Sequence, residues 1–194
     1  MTFDTRMERM DGLLPRILPQ VLPCPRSMAF DAVQMVAGDF CKETGAWSMV
    51  LAESVLAGEC RIAVATPRDT VLVDVLDLYL DGRRLDRADY VPSPYDIVLR
   101  FTPQSDAVAT IEATARPART AATLPAEIME AWGDVIVHGA LARLKSMSGA
   151  RIEWTDAQGA AMHNGLYNEG CAAARTRMFR RRHGGGTLYA NSGD

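Results

Sequence analysis

The sequence predicts an α+β fold: a helical bundle of long helices with an inserted small antiparallel β module and an extended C-terminal tail. Three observations predict it. Apolar residues recur at helical spacing in residues 28–44, and again through two long stretches, 125–149 and 155–182. Between these, from about residue 59, the helical period fades into short valine- and leucine-rich runs broken by turn residues. Arginines followed by three glycines then close the last helical stretch. The expected organisation is a leader and first helix in residues 1–57, an inserted β module in 58–117, long helices completing the helical domain in 118–183, and a flexible C-terminal arm in 184–194.

The leader reads "LLPRILPQVLPCPRS", with Pro15, Pro19, Pro23 and Pro25 between leucines and valine. Proline removes a backbone donor and clashes with the preceding turn, so one continuous helix is excluded. Short helical turns or extended chain are expected, with the leucines packed onto the body. Ser27 can cap a helix from Met28, whose apolar positions are Ala29, Val33, Val36 and Phe40. Gly45 ends it in the usual C-terminal role, and Trp47 is expected to pack back on it.

In "TVLVDVLDLYL" (70–80), strict alternation puts Val71, Val73, Val75 and Tyr79 on one face. Leu72, Leu76, Leu78 and Leu80 fall on the other. Both faces are mostly apolar, which predicts a strand covered on both sides. Asp81-Gly82 is a hairpin signal. "DIVLRF" (96–101) and "VATIEATARP" (108–117) give two more strands.

Pro125 sits at the favoured first position of the next helix, which runs towards Gly149. Apolar residues cover more than half its circumference, so it is expected to be central. Gly139 within it is read as a site of close helix packing. Thr155 with Gln158 forms a capping box for a last helix reaching about Arg182. Gly159, Gly165 and Gly170 weigh against its being unbroken.

At 194 residues, 48% hydrophobic and 23% charged, the chain has the size and composition of one globular domain or one domain with an insertion. No apolar run approaches the ~18 residues of a membrane span, so no membrane association is expected. The first residues, "MTFDTRMERMDG", lack the apolar core of a secretory signal. The expected location is the producing cytoplasm or a particle assembled there. Cys24, Cys41, Cys60 and Cys171 lack metal or redox spacing and are expected to be free thiols.

Catalytic chemistry needs convergent nucleophiles, acids or metal ligands. His138, His163 and His183 show no HExxH-like pairing. Asp74 and Asp77 lie three apart on one strand, so alternation sends them to opposite faces. There is no GxxxxGKS/T, and no GxGxxG after a strand. "HGGGT" (183–187) lacks an accompanying GxSxG nucleophile and reads as a linker. No enzyme activity, cofactor or metal is expected.

Charge is distributed unevenly. Residues 175–194 hold five arginines against one aspartate, while the other 174 residues hold sixteen basic and twenty-three acidic side chains. Such asymmetry points to an interaction surface. Arg177 can share a helix face with Arg180 and Arg181; Arg175 and Arg182 lie two turns apart on a neighbouring face. The arginines spread around the helix end, and no nucleic-acid-binding signature accompanies them. Three readings stand: a solvated basic helix end, non-specific nucleic-acid binding through the arginine cluster, and protein docking through guanidinium–carboxylate forks. Protein docking is preferred, with Leu188 and Tyr189 as apolar anchors.

Two stretches together resemble a known family. One is "LLPRILPQVLPCPRSMAFDAVQMVAGDFCKETGAW", a leader with a cysteine-proline pair and a helix ending FC-x-x-T-x-x-W. The other is "AWGDVIVHGALARLKSMSGARIEWTDAQGAAMHNGLYNEGCAAARTRMF", two tryptophan-associated helices running into a basic tail. The chain resembles the head-to-tail adaptor, or head completion, proteins of tailed bacteriophages. The resemblance implies a structural virion protein of the neck, assembled in the host cytoplasm. It implies a homo-oligomeric ring of twelve copies beneath the portal protein, presenting a surface to a tail or neck protein. DNA would pass through the channel with non-specific contact at most. The portal-binding segment implied is Arg177, Arg180, Arg181 and Arg182, glycines 184–186, and Leu188 with Tyr189.

Overall fold

The computed structural model describes residues 6–149 and 152–183. The leader opens with strand β1 (Met7–Arg9), a 3-10 turn (Met10–Leu13), helix α1 (Leu14–Ile17) and a second 3-10 turn (Leu18–Gln20). The prolines thus divide the leader into single turns, as their chemistry requires. Met10, Leu14, Ile17 and Val21 are buried against the helices.

Helix α2 (Arg26–Thr44) begins earlier than Ser27 capping would give: Pro25 occupies the N-cap and no side chain caps it. Gly45 closes it in the left-handed region, at φ 61°, with its N–H bonded to the Cys41 carbonyl. The chain then turns directly into strand β2 (Ser48–Val55), absent from the sequence reading. Further strands are β3 (Arg61–Ala63), β4 (Thr70–Leu80), β5 (Arg83–Arg84), β6 (Tyr90–Pro92), β7 (Asp96–Leu99), β8 (Ala107–Pro117) and β9 (Thr123–Pro125).

These strands overturn the expected bundle with a small β module. Among the described residues the fold is mixed α/β, with four helices and nine strands in three antiparallel sheets. One sheet has the order β2-β8-β4-β5, another β3-β7-β6, and the leader's β1 pairs with β9. The physical reason is a second hydrophobic core. Ile62, Val75, Leu78, Ile97, Leu99 and Ile111 are buried together between the two larger sheets. The strands therefore bury apolar area among themselves instead of lying as an accessory on helices.

Strand β4 also departs from strict alternation. Its register against β8 slips between Leu72 and Asp74 and again between Val75 and Asp77. These two irregularities put Leu72, Val75 and Leu78 into the core. They also bring Asp74 opposite Thr114 and Asp77 opposite Glu112, two residues apart on β8. The two aspartates thus share a face, correcting the expected opposition. Each is held by an arginine: Asp74 by Arg87 at 2.9 Å, Asp77 by Arg84. At Asp81-Gly82 the backbone has φ 48° and 79°, the two-residue turn expected there.

Helix α3 (Ala126–Lys145) starts after Pro125, which is its N-cap. Helix α4 (Ala157–His183) runs unbroken for 27 residues, roughly 40 Å. Asp156, not Thr155, caps it by accepting the Gly159 N–H at 2.9 Å. Thr155 instead donates to the Met147 carbonyl. The first core lies among these helices and the leader, and includes Phe40, Cys41, Trp47, Ile136, Leu141 and Leu144.

Candidate docking site at the end of the last helix

Helices α3 and α4 form an antiparallel hairpin whose register is set by paired contacts along its length. Lys145 bonds Asp156 at 2.9 Å, the rings of His138 and His163 stack, and Arg177 lies over Trp132 at 5.8 Å. The buried positions of α4 are Ala160, His163, Cys171, Ala174 and Met178, one helical stripe with half-buried Tyr167 in it. Beyond Met178 the stripe continues into Arg181 and Arg182, both exposed, so α4 leaves the core as it becomes basic.

Folding gives the arginines different roles. Arg175 donates to the Cys171 carbonyl of its own helix at 3.4 Å. Arg177 stacks on Trp132, whose ring also meets Phe40 at 5.9 Å. A guanidinium over an indole contributes about 0.5–1 kcal/mol where exposed. Arg182 crosses to the end of α2: its guanidinium is 3.0 Å from where a Gly45 side chain would begin. That end of α2 carries the negative pole of the helix dipole, which a cation stabilises. Arg180 and Arg181 are exposed. Leu188, Tyr189 and glycines 184–186 lie outside the described residues.

The residues carrying the family resemblance are packing residues. Phe40, Cys41, Thr44 and Trp47 are all buried, and Thr44 donates to the Phe40 carbonyl at 2.7 Å. Burial pushes the Cys41 thiol up to about 12, far from the thiolate that reactivity needs. Among the described residues, no group of three or more His, Cys, Asp or Glu side chains could hold a metal ion. None of their helices is long and apolar enough to cross a membrane.

Two groupings escaped the sequence reading. The first is the histidine pair, Nδ1 to Nδ1 at 3.0 Å, where one ring donates and the other accepts. Their pairing follows from the antiparallel α3–α4 register, which the Lys145–Asp156 contact shares and no local sequence motif encodes. The second is a shallow cleft of about 290 Å³ between α2 and the segment after β8, lined by Lys42, Arg116 and Arg119 with Asp39. Arg116 and Arg119 are three apart, but Lys42 is distant in sequence and no local spacing connects it to them.

No protein-family model matches the chain, and no curated protein sequence matches it significantly.

Proposed function

We propose that this chain is a structural virion subunit, a head-to-tail adaptor that assembles as a ring under the portal and links the capsid to the tail. The observation that carries the reading is the join between the two resembling stretches. Phe40 of the FC-x-x-T-x-x-W helix meets Trp132 of α3, and Arg177 of α4 covers the same indole. The residues behind the resemblance thus form one scaffold that projects an arginine-bearing helix end. In this reading Arg180 and Arg181 meet carboxylates of the portal as bidentate forks. Arg177 and Arg182 brace the helix from which the arm, with Leu188 and Tyr189, extends. The subunit performs no catalysis; twelve copies match the portal's symmetry, and the ring's other side receives the tail or neck protein.

The test mixes the purified chain with its portal and images the complex by electron microscopy. Rings on the portal are expected. Deleting residues 183–194 should weaken docking at least tenfold while leaving the thermal unfolding midpoint unchanged. Undiminished binding by the truncated chain sinks the arm assignment, and absence of any portal complex sinks the adaptor reading.

A further inference from the structure

Eight cations of the described residues pair with carboxylates within 4.0 Å. Lys42, Arg116 and Arg119 form no such pair among the described residues, yet they line one cleft. Arg116 donates to the Pro117 carbonyl at 3.4 Å, but gathering three cations without carboxylate partners in one concavity costs electrostatic repulsion unless an anion relieves it. The wall also holds Asp39, a single carboxylate one helical turn before Lys42.

The basic end of α4 approaches the same end of α2. Lys42 is three residues before Gly45, and Arg116 is two residues after Thr114 on the same face of β8. Gly45 and Thr114 are neighbours, and the Arg182 guanidinium lies beside Gly45. Thr114 and Arg116 are about 7 Å apart along the strand. Helix α2, strand β8 and the segment after it therefore contribute cations to one cleft, and the Arg182 guanidinium of α4 lies beside the end of α2. Lys42 and the pair Arg116 and Arg119 line the cleft together only in the folded chain.

We infer that this cationic cleft binds the phosphodiester backbone of nucleic acid without regard to sequence. Several features favour phosphate over an acidic protein. A protein contact needs apolar or aromatic anchors at its centre, and the cleft offers only Met35 and Pro117 beside its polar groups. Guanidinium forks fit phosphate oxygens, and the lysine adds a point charge. A duplex presents one negative charge per roughly 1.7 Å of axis, so cations spread over a strand and a helix turn each find a phosphate. The inference does not depend on ring assembly or on the arm beyond residue 183.

The experiment measures binding of the full chain to a fluorescent random-sequence duplex at a series of salt concentrations. The test variant is Lys42→Gln with Arg119→Gln, two exposed positions, with all five C-terminal arginines intact. Arg61→Gln, which removes an ion-paired cation on the β sheets, is the control. Wild type should bind at low salt and weaken steeply as salt rises. The double variant should bind about tenfold more weakly, with its log–log salt slope shallower by about 1.8, the value for two lost phosphate contacts. The control should stay within about twofold of wild type, and all three should share one unfolding midpoint. No wild-type binding at low salt overturns the inference, as does equal binding by the double variant. Polyglutamate that competes as well as DNA per unit charge also overturns it, in favour of an acidic protein. Portal docking is read separately by microscopy, so failure of either proposal is distinguishable from failure of the other.

Discussion

His138 and His163 face each other across the α3–α4 interface, and His163 is only 5% exposed. Burial holds the His163 imidazole below its ordinary value of 6.5, with the charges of His138 and Lys145 acting in the same direction and Asp156 opposing them. A base with a depressed folded value binds more protons when unfolded. Stability is therefore complete above about pH 6.5 and is lost as pH falls below the unfolded value. Denaturant midpoints measured from pH 7.5 to pH 5 should fall for the wild type. His163→Gln, which keeps a hydrogen-bonding group beside His138, should flatten that fall. Equal slopes for the two proteins would remove His163 as its source. At this scale the sequence exposed the residues but not the pair, because hydrogen bonding depends on the register of two helices that no local motif encodes. The arginines were legible as a group for the opposite reason, being clustered within residues 175–182 of one helix. Their division into bracing and exposed members depends on Trp132 and Gly45, distant in the chain.

Among the elements, the α3–α4 hairpin shows how a glycine can carry packing. A methyl group on Gly139 would lie 2.5 Å from Val36 Cγ1 and 2.7 Å from the Tyr167 ring, where α2, α3 and α4 converge. Gly165, on the open side of α4, has nothing within 4 Å of that position. The same substitution should thus have opposite signs at two helical glycines. Gly139→Ala should destabilise by about 1–3 kcal/mol through overpacking, and Gly165→Ala should stabilise by up to about 1 kcal/mol through helix propensity. Urea unfolding of both variants checks this; destabilisation at both positions would mean propensity and space have been misjudged. The helices were readable because a 3.6-residue period survives interruption by single glycines. Strand β4 was located but not phased, since each of its two irregularities shifts which residues face the core. Strand β2 was missed because a Met-Val-Leu-Ala run carries little strand preference over helix, and its pairing with β8 is a long-range matter.

Across the whole molecule, the misjudged fold class comes down to where burial occurs. Helical periodicity dominates the sequence, whereas many strands are short, some only two or three residues. Their stabilisation is visible only once two sheets close over Ile62, Leu78, Ile97 and Ile111. The resulting cores are not independent, because β8 contributes to both. Ala109, Ile111 and Ala113 lie in the core between the sheets, while Ala115, two residues on, lies in the helical core. The Ala115 N–H also bonds the Trp47 carbonyl at 2.9 Å, tying β8 to the exit from α2. One strand rigidly shared by two cores should make them unfold together. All three tryptophans give a selective probe, since Trp47 belongs to the helical core and Trp132 and Trp154 pack against it. Ile62 is fully buried in the other core, on β3. Ile62→Ala should cost about 2–5 kcal/mol, through lost burial and the cavity left behind. Coupling through β8 requires the tryptophan fluorescence transition to move to lower denaturant by the same amount as the far-ultraviolet dichroism transition. A fluorescence midpoint that stays in place while dichroism develops an earlier phase would show two separately folding units joined only by chain.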